Sequence, residues 1–230
     1  MRRYVIGNWK CHKSSDDGRR WLDKFATLYR PHMEVQVVVA PSLVSLESIA
    51  AHLEGLDLAN VTLAAQDISP FPKGSYTGAV AADMVTKMAG YVIIGHSERR
   101  RYFHETSQDV LNKVAETADC GLTPIVCVES SDTLSQLAGL ADIECNQLLI
   151  AYTPVDALNF KISESPEKVE ETVEHIRQRF PAFPVIYGGA LYPGIVKDYL
   201  QLSTLSGIFV GSSSLEPEPF ADMCSQAALS

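Results

Sequence analysis

Short apolar runs recur along the chain, separated by stretches whose apolar residues are spaced by three or four. Eight of these runs predict strands: Tyr4–Gly7, Val35–Ala40, Thr62–Ala65, Tyr91–Ile94, Thr123–Val128, Gln147–Ala151, Val185–Tyr187 and Gly207–Val210. Several are continuous and β-branched, as in Val37-Val38-Val39, rather than alternating. Strands buried on both faces need that composition, and parallel strands covered by helices are buried on both faces.

The segments between the runs carry helix boundary signals. Ser165-Pro166-Glu167 combines an N-cap residue, a proline at the first helical position and an early acid, followed by Val169, Val173 and Ile176 on one face. Thr106-Ser107-Gln108-Asp109 opens a second run through Val110, Leu111, Val114 and Ala118. Gly121 stands just beyond its end, where a left-handed residue closes a helix at little cost. Eight strand–helix alternations with no interdomain linker predict one α/β domain over residues 1–230. A closed parallel barrel and a doubly wound open sheet both satisfy this rhythm, and periodicity does not separate them.

Composition narrows the function classes. With 230 residues, 46% hydrophobic and 20% charged, the chain has the makeup of a globular protein with a substantial core. A net charge of −9 argues against nucleic-acid or anionic-membrane partners, while leaving room for a phosphate held locally by backbone N–H groups. The five cysteines show no CxxC spacing and no metal-site pattern. Their odd count, and the absence of a long apolar stretch after Met1-Arg2-Arg3, lead to the expectation of reduced thiols in a cytoplasmic protein. No metal or organic cofactor is expected.

In a parallel barrel the chemistry lies in the loops after the strands. Unusual residues concentrate there: Asn8-Trp9-Lys10, Gln66-Asp67, Gly95-His96-Ser97-Glu98, Thr153-Pro154, Gly188-Gly189 and Gly211-Ser212. Taken singly, each has an ordinary reading. Lys10 is a solvated charge, His96 a hydrogen-bonded structural histidine, and Glu98-Arg99 a surface pair worth about 0–1 kcal/mol. The glycines are turn residues. Their occurrence together at corresponding strand ends favours a site.

Gly7-Asn8-Trp9-Lys10 and Ile94-Gly95-His96-Ser97-Glu98-Arg99-Arg100 resemble triosephosphate isomerases. The likeness continues through Ala65-Gln66-Asp67, Tyr76-Thr77-Gly78, Pro124-Ile125-Val126-Cys127, Ala151-Tyr152-Thr153-Pro154-Val155, Tyr187-Gly188-Gly189 and Val210-Gly211. These motifs span nearly the whole chain in the family's order, and the Gly95–Arg100 stretch is the most specific of them. The resemblance implies a single (β/α)8 TIM barrel. It also implies that Lys10 draws in a phosphorylated substrate and stabilises negative charge on the reacting oxygens. Asn8 would orient the substrate, neutral His96 would polarise its carbonyl, and Glu98 would support the site. Asn159, Gly188, Gly189, Gly211 and Ser212 would contact substrate. The segment 66–78 resembles the loop through which family members interlock as homodimers.

The chain departs from the family at several linked places. The acid expected between Tyr152 and Pro154 is Thr153, whose hydroxyl does not ionise near neutral pH. A positioned general base contributes about 10²- to 10⁴-fold, or roughly 3–5 kcal/mol of barrier. The lid stretch Val155–Lys161 lacks the family's Trp and Gly-Thr-Gly tip, although Asn159 can adopt a left-handed conformation there. Ala190 replaces a phosphate-contacting serine, Ser212 replaces a glycine, and Glu129-Ser130 stands where the family has Gly-Glu. Asp156 lies up to about 10 Å along an extended chain from Thr153 and is the candidate substitute acid.

Three functions follow. One is aldose–ketose isomerisation of a small sugar phosphate, of the glyceraldehyde 3-phosphate and dihydroxyacetone phosphate type, impaired or altered by Thr153. The second is a non-catalytic phosphometabolite-binding or regulatory barrel. The third is another reaction at Lys10 and His96, such as phosphate elimination.

Overall fold

The computed structural model describes residues 2–129 and 133–230, with the backbone alone for Leu158. Eight parallel strands close into a barrel in sequence order: β1 (Arg3–Asn8), β2 (Val35–Ala40), β3 (Val61–Ala65), β4 (Tyr91–Ile94), β5 (Thr123–Val128), β6 (Leu149–Tyr152), β7 (Val185–Tyr187) and β8 (Gly207–Val210). The open-sheet alternative is thereby excluded, because β1 pairs with β2 on one side and β8 on the other. The helices among the described residues are α1 (Ser15–Leu28), α2 (Leu43–Leu56), α3 (Ala82–Val85), α4 (Ser97–Tyr102), α5 (Ser107–Asp119), α6 (Thr133–Leu137), α7 (Val155–Phe160), α8 (Pro166–Arg179), α9 (Val196–Leu200) and α10 (Pro217–Ala228).

Local chemistry accounts for the helix ends. Ser165 accepts from the Lys168 N–H at the start of α8, with Pro166 at the first helical position. Thr106 and Asp109 form a reciprocal capping box on α5, and Gly121 adopts φ +74° just beyond it. The sixth strand is shifted from the expected 147–151 to Leu149–Tyr152. Its register begins with Ile125 beside Leu149, and Tyr152 is retained because its carbonyl accepts from Gly188 N–H at 2.8 Å.

Side chains along each strand alternate between two cores. Ile6, Val38, Ala64, Ile93, Ile125, Cys127, Leu149, Ala151, Ile186 and Phe209 fill the barrel interior. Their neighbours, among them Val5, Val37, Val92, Val126, Ile150, Tyr187 and Ile208, point outward onto helix residues such as Phe25, Ile49, Val114, Val173 and Phe220. The strands are apolar on both faces for this reason, and the period of two carries on into the loops that follow them.

Closure at the β8–β1 seam depends on one residue without a side chain. Gly207 sits beside Tyr4 with φ +153°, and a Cβ there would overlap the Tyr4 backbone. Gly207→Ala is expected to cost about 1–3 kcal/mol. For a chain of this size each kcal/mol moves Tm by about 2–4 °C. Thermal denaturation should therefore show a fall of several degrees; an unchanged Tm would mean that the seam relaxes freely.

Candidate active site at the C-terminal rim

A cavity of about 710 Å3 opens where the strand ends converge. Asn8 and Lys10 reach it from the loop after β1, and Ser97 and Glu98 from the start of α4. Glu129 enters from the end of β5, Val155, Asn159 and Lys161 from the segment after β6, and Gly189 and Ala190 from β7. Gly211 and Ser212 complete the wall from β8. Four cations (Lys10, Arg100, Arg101 and Lys161) line the cavity against two carboxylates, Glu98 and Glu129. The cavity is thus cationic within a chain of net charge −9, which concentrates anions at this one place.

Lys10 is held tightly despite its left-handed backbone, φ +52°. Its N–H donates to Asn8 Oδ1 at 2.9 Å, and its carbonyl accepts from Gln66 Nε2 at 2.8 Å. The preceding Trp9 is buried on the outer side of the barrel, where its Nε1 donates to Ser214 O at 3.1 Å. The Lys10 ammonium then meets Glu98 Oε1 at 2.5 Å. Gly211 lies beside this chain: a Cβ there would be in ordinary van der Waals contact with Lys10 Cε at 3.5 Å.

His96 caps the N-terminus of α4. Its Nδ1 accepts from the Glu98 N–H at 3.2 Å, so in the neutral ring the proton resides on Nε2. Burial lowers its pKa from 6.5 to about 4; the Glu98 carboxylate opposes that shift, and the Lys10 ammonium adds to it. A helix N-terminus disfavours the imidazolium in the same direction. Gly95, with φ +71°, makes the turn before it, and Arg100 Nε donates to the Gly95 carbonyl at 2.9 Å.

His96, Thr153 and Gly188 are buried residues outside the cavity lining, His96 lying against Glu98 of the wall with Nδ1 3.6 Å from Oε2. Thr153 is buried, its N–H donating to Val128 O at 2.8 Å and its hydroxyl to the same oxygen at 3.4 Å. A Cβ on Gly188 would sit 2.7 Å from Thr153 Cγ2, so these two small residues pack against each other. The lid also differs from expectation. Asn159 lies inside α7, and the left-handed residue is Lys161 at φ +55°. Asp156 is exposed in the first turn of α7 and acts electrostatically on Lys168, outside the cavity lining. That placement removes the geometric basis for Asp156 as substitute acid in this conformation. Ser130 lies outside the described residues.

Beyond α7 the chain is fastened by three tyrosines. The Tyr152 hydroxyl donates to Glu164 Oε2 at 2.6 Å, Tyr187 accepts from Glu164 N–H at 3.0 Å, and Tyr199 donates to Glu164 O at 2.5 Å. Ser163 adds a bond to the Ala190 carbonyl at 3.1 Å, joining the lid to the loop after β7.

The family model described as triosephosphate isomerase matches residues 3–227. The chain belongs to the triosephosphate isomerase family. It is 34% identical to the triosephosphate isomerase of Nostoc punctiforme, covering 96% of this chain and 97% of that protein. It is 32% identical to that of Caldanaerobacter subterraneus subsp. tengcongensis, over 96% and 98%, and 30% identical to that of Clostridium beijerinckii, over 96% and 98%. Against that family pattern, the residues that sequence reasoning left without a role are His12, Arg100, Arg101, Glu129 and Lys161, all on the cavity wall. Of these, Glu129 directly follows β5, the position at which a rim residue is expected, whereas Lys161 closes α7.

The depressed basicity of His96 makes a direct prediction. In the folded protein its ring should stay neutral down to pH near 4, as followed by imidazole chemical shifts in an NMR titration. The unfolded chain takes up this proton near pH 6.5, so the unfolded state binds more protons between the two values. Stability from this group is fully present above pH 6.5 and declines as pH falls towards 4. A His96 midpoint at or above 6.5 would contradict the buried neutral ring.

Proposed function

We propose that the cavity binds a small sugar phosphate and catalyses aldose–ketose isomerisation of the glyceraldehyde 3-phosphate and dihydroxyacetone phosphate type, at a rate limited by Thr153. The observation that carries this reading is the buried neutral His96 beside the Lys10–Glu98 pair at a cationic cavity. Isomerisation removes a proton from the carbon next to a carbonyl and places one on its neighbour. The Nε2–H of His96 can donate to the carbonyl oxygen as negative charge develops there, and the Lys10 ammonium stabilises the same charge. Asn8 orients substrate and backbone groups of Gly189, Gly211 and Ser212 face its phosphate. Gly188 supports this wall from below. Lys161 supplies a lid cation where Ala190 has lost a hydroxyl, and Asn159 adds an amide from α7.

The buried Thr153 favours a second reading, a phosphometabolite-binding barrel without chemistry. A coupled assay on both triose phosphates, with calorimetry against inorganic phosphate, separates the two. Under the isomerase reading the unmodified protein turns over slowly, Lys10→Met abolishes turnover, and Thr153→Glu raises kcat/KM by about 10-fold or more. Phosphate binding without turnover would instead establish the binding protein. Turnover at the level of ordinary family members would remove the rate limit assigned to Thr153.

The proposed active form is a homodimer through the 66–78 loop. Phe71 and Tyr76 stack there at 4.8 Å while both remain exposed, and Gln66 ties the loop's start to the Lys10 carbonyl. Sedimentation at micromolar concentration should give twice the chain mass, and Tyr76→Asp should give monomers. A monomeric unmodified protein would refute the assembly.

A further inference from the structure

We infer that Glu129, at the end of β5, is the carboxylate that moves the proton in the site that Thr153 cannot serve. This rests on the isomerase reading above. In β6, Leu149 and Ala151 face the barrel interior while Ile150 and Tyr152 face the helices, which places Thr153 on the inner side. In β5, Ile125 and Cys127 face the interior while Val126 and Val128 face outward, which places Glu129 on the inner side too. The register pairs Val128 with Tyr152, so Glu129 is the lateral neighbour of Thr153. Adjacent strands lie about 4.8 Å apart, within the span that an added glutamate side chain covers. The carboxylate missing from the sixth strand is therefore present one strand away, in the same rim layer.

Its surroundings suit the role. Glu129 lines the cavity, whereas Thr153 does not and Asp156 acts on Lys168. The other carboxylate on the wall, Glu98, is engaged by the Lys10 ammonium at 2.5 Å. Among the described residues no hydrogen bond or ion pair occupies the Glu129 carboxylate, yet its backbone is secured at both ends. Its N–H donates to Gln136 Oε1 at 3.0 Å, and its carbonyl accepts from the Thr133 hydroxyl. The side chain thus starts from a fixed point and has its acceptor oxygens free.

The step balances without any added reagent. The Glu129 carboxylate takes the proton from the carbon next to the carbonyl, and the C–H electron pair becomes the C=C bond of the enediol. The carbonyl π pair moves to oxygen, which takes the Nε2 proton of His96. Imidazolate takes the proton of the adjacent hydroxyl, the pair left on that oxygen forms the new C=O, and the C=C pair takes the proton of Glu129 at the former carbonyl carbon.

The test compares the unmodified protein with Glu129→Gln, Glu129→Asp and Glu129→Gln combined with Thr153→Glu. Triose phosphate turnover, its pH profile and deuterium uptake from solvent at the substrate carbon are measured, with inorganic phosphate affinity and Tm as controls. Expected is a loss of about 100-fold or more in kcat and in deuterium uptake for Glu129→Gln, with phosphate affinity and Tm retained. Partial activity in Glu129→Asp and recovery in the double variant mark the loss as proton transfer rather than misfolding. Glu129→Gln turning over within threefold of the unmodified protein overturns the inference while leaving the isomerase reading in place. Phosphate binding with neither turnover nor exchange in the unmodified protein overturns that reading, and the role of Glu129 with it.

Discussion

Closure of β1 onto β8 is the constraint from which the rest of the molecule follows. A closed ring of eight strands has no free edge, and its narrow interior accepts only every second side chain of each strand. The remaining side chains must be covered by helices, which explains why the strands are apolar throughout. At the rim the interior positions can no longer be filled by apolar groups. The residues placed there by the same alternation converge on one space, and that space is the cavity. Gly207 permits the final pairing, since a Cβ there would overlap the Tyr4 backbone.

Electrostatics set a held ion pair on the cavity wall and a neutral ring buried beside it. Lys10 and Glu98 neutralise each other at contact distance, while His96 is too deeply buried to charge at ordinary pH. An anion arriving in this space meets Arg100, Arg101 and Lys161 on the wall, and the excess of cations there contrasts with the acidic remainder of the surface. The left-handed backbone of Lys10 is held by its bonds to Asn8 and Gln66, and that of Lys161 closes α7 as a left-handed helix end.

The same rim region is tied to its flank by a buried ionic network. Lys113 on α5 contacts both Asp67 and Glu105, and Arg99 on α4 contacts the same two carboxylates. Burial raises the Asp67 pKa even though both cations pull it down. Removing either cation would leave a desolvated carboxylate, which is why such networks tolerate little change. The loop that begins at Gln66 and Asp67 is therefore anchored to the helix that carries Glu98.

The strand positions, the helix caps at Thr106 and Ser165, and the left-handed Gly121 were legible in the sequence, because each depends on residues close together along the chain. So was the family, through motifs such as Gly95–Arg100. Choosing a barrel over an open sheet from periodicity was not possible, since closure is a pairing between residues some 200 positions apart, Tyr4 with Gly207. The tertiary structure likewise decided that Thr153 packs against Gly188 outside the cavity lining, that Asn159 is helical and Lys161 left-handed, and that Asp156 is exposed outside that lining. It also paired Val128 with Tyr152, bringing the positions after them to adjacent strand ends, a proximity that spacing along the chain does not encode. Local sequence determines which way the backbone turns; which side chains share a cavity depends on the register of eight strands closing at once.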